Sequence, residues 1–322
     1  MPRYRHRLPQ LEGALFITDG GLETTMLFHE GFELPYLSAL PLLRDERARA
    51  AMRRYFARFA DIAAKAGAGL ILDGPTWRAS PDWGAKLGYA PAELDAANRA
   101  SIEFQRAIRD EHEARVSPIV LSGAVGPRGD GYKPGEIMSL AEAERYHAVQ
   151  IGLFAETDAD MVTAYTITNA PEAIGIARAA KAAGIPSVVS FTVETDGRLP
   201  TGQALGDAIQ EVDAATGEAP AYYMINCAHP SHFADTLAAG GAWIGRLRGL
   251  RGNASRKSHA ELDESTTLDI GNPAAFGAET AALHRRLGHI NVLGGCCGTD
   301  HRHIGHVADA VRQAASRAAV SA

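Results

Sequence analysis

The sequence predicts an α/β fold, a (β/α)8 TIM-type barrel, from three observations. Short aliphatic or β-branched runs recur along the chain, and each is followed by an alanine-rich amphipathic stretch, an alternation typical of parallel α/β folds. Eight such runs fit a closed barrel better than an open sheet. The chain has 322 residues and no visible linker, composition break or glycine-rich nucleotide fingerprint. We therefore expect one domain over residues 1–322.

The apolar runs place the predicted strands at residues 14–18, 69–73, 118–123, 160–164, 187–192, 221–226, 243–247 and 291–294. Amphipathic periodicity places the main helices at 46–66, 92–114, 140–156, 171–183, 273–287 and 303–319. The seventh repeat has the weakest signal, because residues 248–267 are polar and irregular. Arg248, Arg251 and Arg256 are accordingly expected in a solvated loop, or in a loop that closes over a substrate.

Composition and charge exclude several classes of protein. Hydrophobic residues make up 46% and charged residues 22% of the chain, which is ordinary for a globular protein and argues against disorder. The formal net charge is −6, and no basic run indicates a nucleic-acid partner. The apolar runs are too short to span a membrane, and the basic first residues lack the apolar stretch of a signal peptide. The expectation is a cytoplasmic protein with small-molecule partners and no nucleic-acid or membrane partner. The oligomeric state is open, with a homo-oligomer as one option.

The three cysteines carry the strongest chemical signal. Cys227 follows the sixth predicted strand, and Cys296 and Cys297 follow the eighth, so all three are expected at the same end of the barrel, where barrel enzymes hold their active sites. An odd number of cysteines with two adjacent is a poor disulfide framework. Zinc takes thiolates at ~2.3 Å, and a catalytic zinc keeps three protein ligands and one open position. The competing interpretation, three buried cysteines that act as small hydrophobic residues, suits Cys227 alone better than all three.

A zinc ion with three thiolates is electron-rich. It acidifies water poorly, which disfavours hydrolysis, but it suits delivery of a thiolate, since a thiol that coordinates the open position loses its proton. Glycines beside Cys296 and Cys297 remove side-chain bulk, so that two consecutive residues can turn toward one ion.

Several motifs occur together in the chain. Residues 294–299 read Gly-Gly-Cys-Cys-Gly-Thr, with Asn226-Cys227 about seventy residues earlier, and residues 19–24 begin Asp-Gly-Gly. Residues 122–127 contain Gly-x-x-Gly-Pro, and residues 190–192 and 199–202 read Ser-Phe-Thr and Leu-Pro-Thr-Gly. In combination, from about residue 15 to residue 309, they resemble the homocysteine S-methyltransferase family. The resemblance implies a zinc-dependent barrel that methylates the sulfur of homocysteine and yields methionine.

The same resemblance assigns roles to individual residues. Cys227, Cys296 and Cys297 carry over as the zinc ligands and, with Asp19, as the catalytic residues. The Asp19 carboxylate is expected near the amino group of the substrate, with the backbone of Gly20 and Gly21 beside it. Further substrate contacts are predicted at four strand-end positions, namely Thr76, Trp77, Tyr165 and Asn226. Glu23 either orients Asp19 or merely begins the next helix.

Two departures from the family pattern concern the acceptor. The family has a glutamate at the end of strand four that helps to hold the substrate ammonium, whereas Tyr165 stands there in this chain. A phenol accepts a hydrogen bond but carries no charge at pH 7. After strand two, the family's Thr-Asn-Thr-Tyr is replaced by Gly-Pro-Thr-Trp, followed by Arg78. These changes leave the zinc chemistry intact and leave the identity of the thiol acceptor open.

The expected reaction is direct displacement of a methyl group from an onium donor by the acceptor thiolate. S-methylmethionine is the first choice of donor, then S-adenosylmethionine as an occasional substitute, then betaine; aromatic side chains such as Trp77 and Tyr165 can stabilise the cation. Two alternatives stay open. One is methyl transfer to a different thiol or selenol, or transfer in the demethylating direction. The other is a non-enzymatic thiol or metal sensor.

Overall fold

Eight parallel strands close into a barrel in the computed structural model, which describes residues 1–321. Each strand pairs with the next in sequence, and the first pairs with the last through Phe16–Val292 and Ile17–Leu293. The predicted (β/α)8 barrel is confirmed. The strands are β1 Phe16–Ile17, β2 Gly69–Asp73, β3 Ile119–Val125, β4 Met161–Ile167, β5 Ser187–Phe191, β6 Tyr222–Asn226, β7 Leu247–Gly252 and β8 Val292–Gly295.

The helices surround the barrel and follow the strands in sequence. They are α1 Leu22–Thr24, α2 Glu46–Ala66, α3 Pro81–Lys86, α4 Pro91–His112, α5 Leu140–Ala155, α6 Ala170–Ala183, α7 Leu205–Thr216, α8 Pro230–Ala239, α9 His259–Asp263, α10 Pro273–Arg286 and α11 His301–Ser321. Over residues 1–321, none of these helices combines the length and the apolar character needed to cross a bilayer.

The predicted elements match the structure except in the seventh repeat. The predicted strand at 243–247 is wrong: residues Ala242–Arg246 form a 3-10 helix, and β7 begins at Leu247. The apolar residues at 243–247 indicated a strand, but Trp243 packs outside the barrel against α7, where its ring fills the space beside Gly206. The true strand contains Arg251, which is 7% exposed rather than in a solvated loop.

The interior of the barrel is filled at the end where the strands begin. Side chains from seven strands form an apolar cluster there, and Leu8 of the N-terminal segment packs against it: Phe16, Ile71, Val120, Met161, Val188, Tyr222, Met224 and Val292. The N-terminal segment is held in place by Asp160, whose Oδ1 accepts hydrogen bonds from the backbone nitrogens of Arg3 and Tyr4, each at 2.7 Å. With this end closed, the open end for a ligand is the one where the strands terminate.

Candidate active site

A cavity of about 260 Å³ occupies the end of the barrel at which the strands terminate. Five carboxylates line it against two guanidinium groups, so negative charge is in excess and the cavity favours cationic groups. Three aromatic rings and three cysteines complete the chemically distinctive part of the wall. These lining residues are Asp19, Glu23, Asp73, Asp130, Asp263, Arg78, Arg251, Trp77, Tyr132, Tyr165, Cys227, Cys296 and Cys297.

The three cysteines meet as the sequence predicts. Cys227 follows β6, Cys296 and Cys297 follow β8, and their Sγ atoms all lie within 4.8 Å of one another. Three thiolates on a tetrahedral zinc at ~2.3 Å would lie about 3.8 Å apart. The three donors therefore fit one zinc ion once they are reduced, and because all three cysteines line the cavity, a fourth ligand can approach from it.

Cys227 and Cys296 are joined as a disulfide in the structure, whereas Cys297 is free and half-buried. The sequence analysis did not predict this pairing, because the count and spacing of cysteines argue against a disulfide framework. The pairing follows from the fold, which brings the two Cα atoms to 5.3 Å, within the range that a disulfide spans. Reduction of this bond is required before all three sulfurs can bind a metal as thiolates.

Each cysteine sulfur has its own hydrogen-bonding side chain. Thr166 Oγ1 donates to Cys227 Sγ and Asn226 Nδ2 to Cys296 Sγ, both at 3.9 Å. The hydroxyl of Tyr132 lies 3.7 Å from Cys297 Sγ. Hydrogen bonds of this kind orient metal ligands and stabilise their negative charge.

Asn226 also fixes the backbone around the cluster. Its Oδ1 accepts from the backbone nitrogen of Thr166 at 2.9 Å and from Ser190 Oγ at 2.7 Å. Thr166 and Cys227 both have left-handed backbones, with φ of 62° and 54°, which is uncommon for residues other than glycine. The carbonyl of Cys227 accepts a hydrogen bond from Asn253 Nδ2 at 2.9 Å. These contacts hold two strained residues where their side chains reach the cluster.

Beside the cysteines, Arg251 of β7 binds two carboxylates. Its Nη1 donates to Asp73 Oδ2 at 2.8 Å, and its Nη2 contacts Asp19 Oδ1. Its Nε donates to the carbonyl of Gly295 at 3.0 Å. Tyr165 donates to the same Asp73 oxygen at 2.7 Å. The Asp19 carboxylate, which the family resemblance places near the amino group of the substrate, is therefore paired with a cation in the structure.

Burial governs the protonation of this network. It raises the pKa of Asp19 to about 7, against the lowering effect of the Arg251 guanidinium. Burial also raises the pKa of Asp73, again opposed by Arg251. One guanidinium cannot neutralise two desolvated carboxylates, so the pair retains a proton to a higher pH than an isolated carboxyl group.

The Asp-Gly-Gly segment packs directly against the cysteine loop. A Cβ atom at Gly21 would lie 2.7 Å from the carbonyl oxygen of Cys296, closer than real Cβ contacts. The backbone nitrogen of Gly21 donates to the carbonyl of Thr299 at 3.0 Å. Glycine at this position therefore lets the segment that carries Asp19 lie against the segment that carries two of the cysteines.

The model of the family described as homocysteine S-methyltransferase matches residues 16–311. The chain belongs to the homocysteine S-methyltransferase family. It is accordingly a methyltransferase. No curated protein sequence matches the chain significantly.

Solved structures of one family enzyme share the fold. They are forms of the homocysteine methyltransferase MmuM from Escherichia coli. The metallated form is 18% identical with a TM-score of 0.69, covering 94% of this chain and 96% of that one. The oxidised form is 19% identical with a TM-score of 0.72, covering 92% and 98%. At this identity the likeness extends to the barrel as a whole.

The predicted substrate contacts of this methyltransferase occupy different environments. Gly20, Gly21, Trp77, Tyr165 and Asn226 all line the cavity. Trp77 Nε1 donates to the carbonyl of Tyr165 at 3.3 Å. Thr76, in contrast, is fully buried outside the lining, and its hydroxyl donates to the carbonyl of Ala124 at 2.7 Å.

Sequence reasoning missed several residues of this methyltransferase site. Asp73 was taken only as the end of a strand, and Tyr132 lies in a loop without a motif. His259, whose Nε2 lies 2.6 Å from the carbonyl oxygen of Cys227, has no sequence signal either. Arg251 stands between a leucine and a glycine, but the local sequence does not reveal the distant carboxylates that allow this arginine to be buried.

Proposed function

We propose that the protein is a zinc-dependent S-methyltransferase that moves a methyl group from an onium donor to the thiolate of homocysteine, giving methionine. The observation that carries the proposal is the meeting of three cysteine sulfurs within 4.8 Å of one another on the wall of an acidic cavity. Family membership supports homocysteine as the acceptor. The metallated form of MmuM supports a metal in the fold family.

Cys227, Cys296 and Cys297 would hold the zinc ion once the disulfide is reduced. When bound, zinc would supply a positive centre that keeps the acceptor sulfur deprotonated at neutral pH. The side chains of Thr166, Asn226 and Tyr132 orient the three ligands. A hydrolytic role is disfavoured, because three thiolates leave little positive charge to acidify water.

The reaction would be a single in-line displacement. The acceptor thiolate attacks the methyl carbon of the onium group, a carbon–sulfur bond forms, and the bond to the positively charged atom of the donor breaks with its electron pair. The donor leaves as a neutral thioether or amine. Because the methyl group is already activated, the task of the protein is to align the two substrates.

The donor we propose first is S-methylmethionine, followed by S-adenosylmethionine and then betaine. All three carry an onium centre, and the excess of carboxylates around the cavity favours such a cation. Of the aromatic rings, Tyr165 has the Arg251 guanidinium over one face at 4.7 Å, and Arg78 lies 4.7 Å from the centroid of Trp77. A donor cation would therefore use the faces that these arginines leave uncovered.

The decisive experiment is metal analysis of the reduced protein, followed by methyl-transfer assays with homocysteine and each donor. We expect about one zinc per chain and methionine formation from at least one donor. Cys297→Ser should lose both. Because Cys297 is free, its replacement cannot act by removing the disulfide. If the protein binds stoichiometric zinc and methylates another thiol but not homocysteine, the proposed mechanism stands and only the acceptor changes. Absence of zinc from the reduced wild-type protein would contradict the proposal.

A further inference from the structure

Four of the five carboxylates around the cavity already have partners. Asp19 and Asp73 share Arg251. Asp130 accepts from the backbone nitrogens of Tyr132 and Lys133, and Asp263 pairs with the Lys133 ammonium at 2.9 Å.

Glu23 is the exception. Among the side chains that the structure describes, none donates a hydrogen bond to the Glu23 carboxylate or forms an ion pair with it. It lies in α1 directly after the Asp-Gly-Gly segment, half-buried, and it lines the cavity. Burial raises the pKa of Glu23, while its own backbone nitrogen and the charges of Arg251 and Arg78 oppose the rise.

Its position is close to the cysteines. The next residue, Thr24, accepts a hydrogen bond at Oγ1 from the backbone nitrogen of Gly298, which directly follows Cys297, at 3.2 Å. Glu23 therefore lies on the wall of the same cavity as Cys296 and Cys297. A partly desolvated carboxylate without a cationic partner is unfavourable in the empty cavity and is stabilised once a cation enters.

We infer that Glu23 is a specificity-determining residue that binds the cationic head of a substrate in this cavity. The inference rests on the proposed methyl transfer and names the residue that recognises its substrates by charge. Two groups have the required chemistry, the α-ammonium of the acceptor and the onium centre of the donor. Asp19 is less suited to this role, because Arg251 Nη2 already contacts one of its carboxylate oxygens and Tyr55 donates to the other at 3.1 Å.

The test compares wild type with Glu23→Gln, which removes the charge and keeps the shape. Calorimetry on the reduced protein with added zinc measures binding of homocysteine and of 4-sulfanylbutanoate, the same thiol acid without the amino group. If the acceptor ammonium binds Glu23, the affinity for homocysteine should fall roughly ten- to a hundred-fold and that for 4-sulfanylbutanoate should not change. If the donor onium binds Glu23, KM for S-methylmethionine should rise by about tenfold instead.

Two further variants make the result specific. Glu23→Asp keeps the charge and should recover much of the lost affinity. Glu33→Gln removes the same charge from an exposed position on the same segment, outside the cavity lining, and should bind every ligand as wild type does. An affinity for homocysteine and a KM for S-methylmethionine that both stay within about twofold of wild type in Glu23→Gln would overturn the inference. Failure of the proposed function looks different: wild-type protein would then form no methionine from any donor, while calorimetry would still report on Glu23.

Discussion

The Nη1 atom of Arg251 lies 2.8 Å from Oδ2 of Asp73, so that an arginine near the end of β7 crosses the barrel mouth to the end of β2. The same guanidinium contacts Asp19 after β1. Three strands far apart in sequence are thereby tied together by one buried charge cluster. The cluster sets both the stability of this end of the barrel and the charge that a substrate meets there.

Replacing Arg251 by methionine should destabilise the fold by about 3–5 kcal/mol, because two buried carboxylates would lose their common cation. Asp73→Asn should cost less, since Arg251 would keep Asp19 as its partner. Urea unfolding at pH 8 measures both. The matched control is Arg115→Met, which breaks an exposed pair with Asp61 and should cost at most about 1 kcal/mol. Equal costs for Arg251→Met and Arg115→Met would contradict the role given to the cluster.

The raised pKa of Asp19, about 7, predicts a pH-dependent contribution to stability. Between an unfolded-state pKa of about 3.9 and this value, the folded chain binds the proton and the unfolded chain does not. The contribution of Asp19 to the free energy of unfolding therefore falls as pH rises through this window and is constant above it.

Urea unfolding of wild type and Asp19→Asn at pH 5 and pH 8 tests this sign. From the lower to the higher pH, wild type should lose about 2.7 kcal/mol relative to the variant, since about two pH units of the window lie above pH 5 and each is worth about 1.4 kcal/mol. A wild type that instead gains stability over the variant would show that the Arg251 ion pair outweighs desolvation and lowers the pKa of Asp19.

The helices were predictable from the sequence because their signals are local. The predicted and observed bounds of α2 coincide at Glu46–Ala66, since Asp45 caps its start by accepting from the backbone nitrogen of Ala48, and Gly67 ends it with φ of 65°. The meeting of Cys227 with Cys296 and Cys297 was predictable for a topological reason. Parallel strands end at the same face of a barrel.

The seventh strand and the charge cluster were not predictable because their causes are not local. Arg251 tolerates burial only through carboxylates 178 and 232 residues away in sequence. Without knowledge of those partners, an arginine reads as a loop residue. The apolar run around Trp243 indicated a strand, but Trp243 packs against α7 outside the barrel. Tyr132 and His259 were missed for the same reason.

Asn226 should control metal affinity although it is not predicted to be a ligand. It accepts a hydrogen bond from the backbone nitrogen of Thr166 and donates one to Cys296 Sγ. Asn226→Leu should therefore free Cys296 Sγ and the strained backbone of Thr166, whose hydroxyl donates to Cys227 Sγ. Zinc affinity of the reduced protein should fall roughly ten- to a hundred-fold, as measured by competition with a chromophoric chelator. Asn98→Leu removes a fully buried asparagine whose amide donates to backbone carbonyls outside the cavity, and should leave zinc affinity unchanged. An equal loss in both variants would indicate general destabilisation only.

Tyr165 offers the sharpest separation of stability from function, because the chain contains a matched tyrosine elsewhere. Tyr165 donates to Asp73 Oδ2 at 2.7 Å inside the cavity, and Tyr223 donates to Asp213 Oδ1 at 2.8 Å away from it. Each phenylalanine substitution removes one hydrogen bond to a carboxylate and should lower the free energy of unfolding by about 1.5–3 kcal/mol.

Only Tyr165→Phe should alter catalysis. The Tyr165 hydroxyl, while it donates to Asp73, can still accept a hydrogen bond from a substrate amino group, and loss of this neutral bond is worth about 0.5–1.5 kcal/mol. We therefore expect kcat/KM for homocysteine to fall by about two- to tenfold in Tyr165→Phe, and to stay at the wild-type value in Tyr223→Phe, when both are assayed with one fixed donor. The loss should disappear with 4-sulfanylbutanoate as acceptor, since that thiol has no amino group to donate. If Tyr165→Phe instead slows both acceptors equally, the tyrosine acts by holding Asp73 and Arg251 in place, and the amino group of the substrate is bound by other residues.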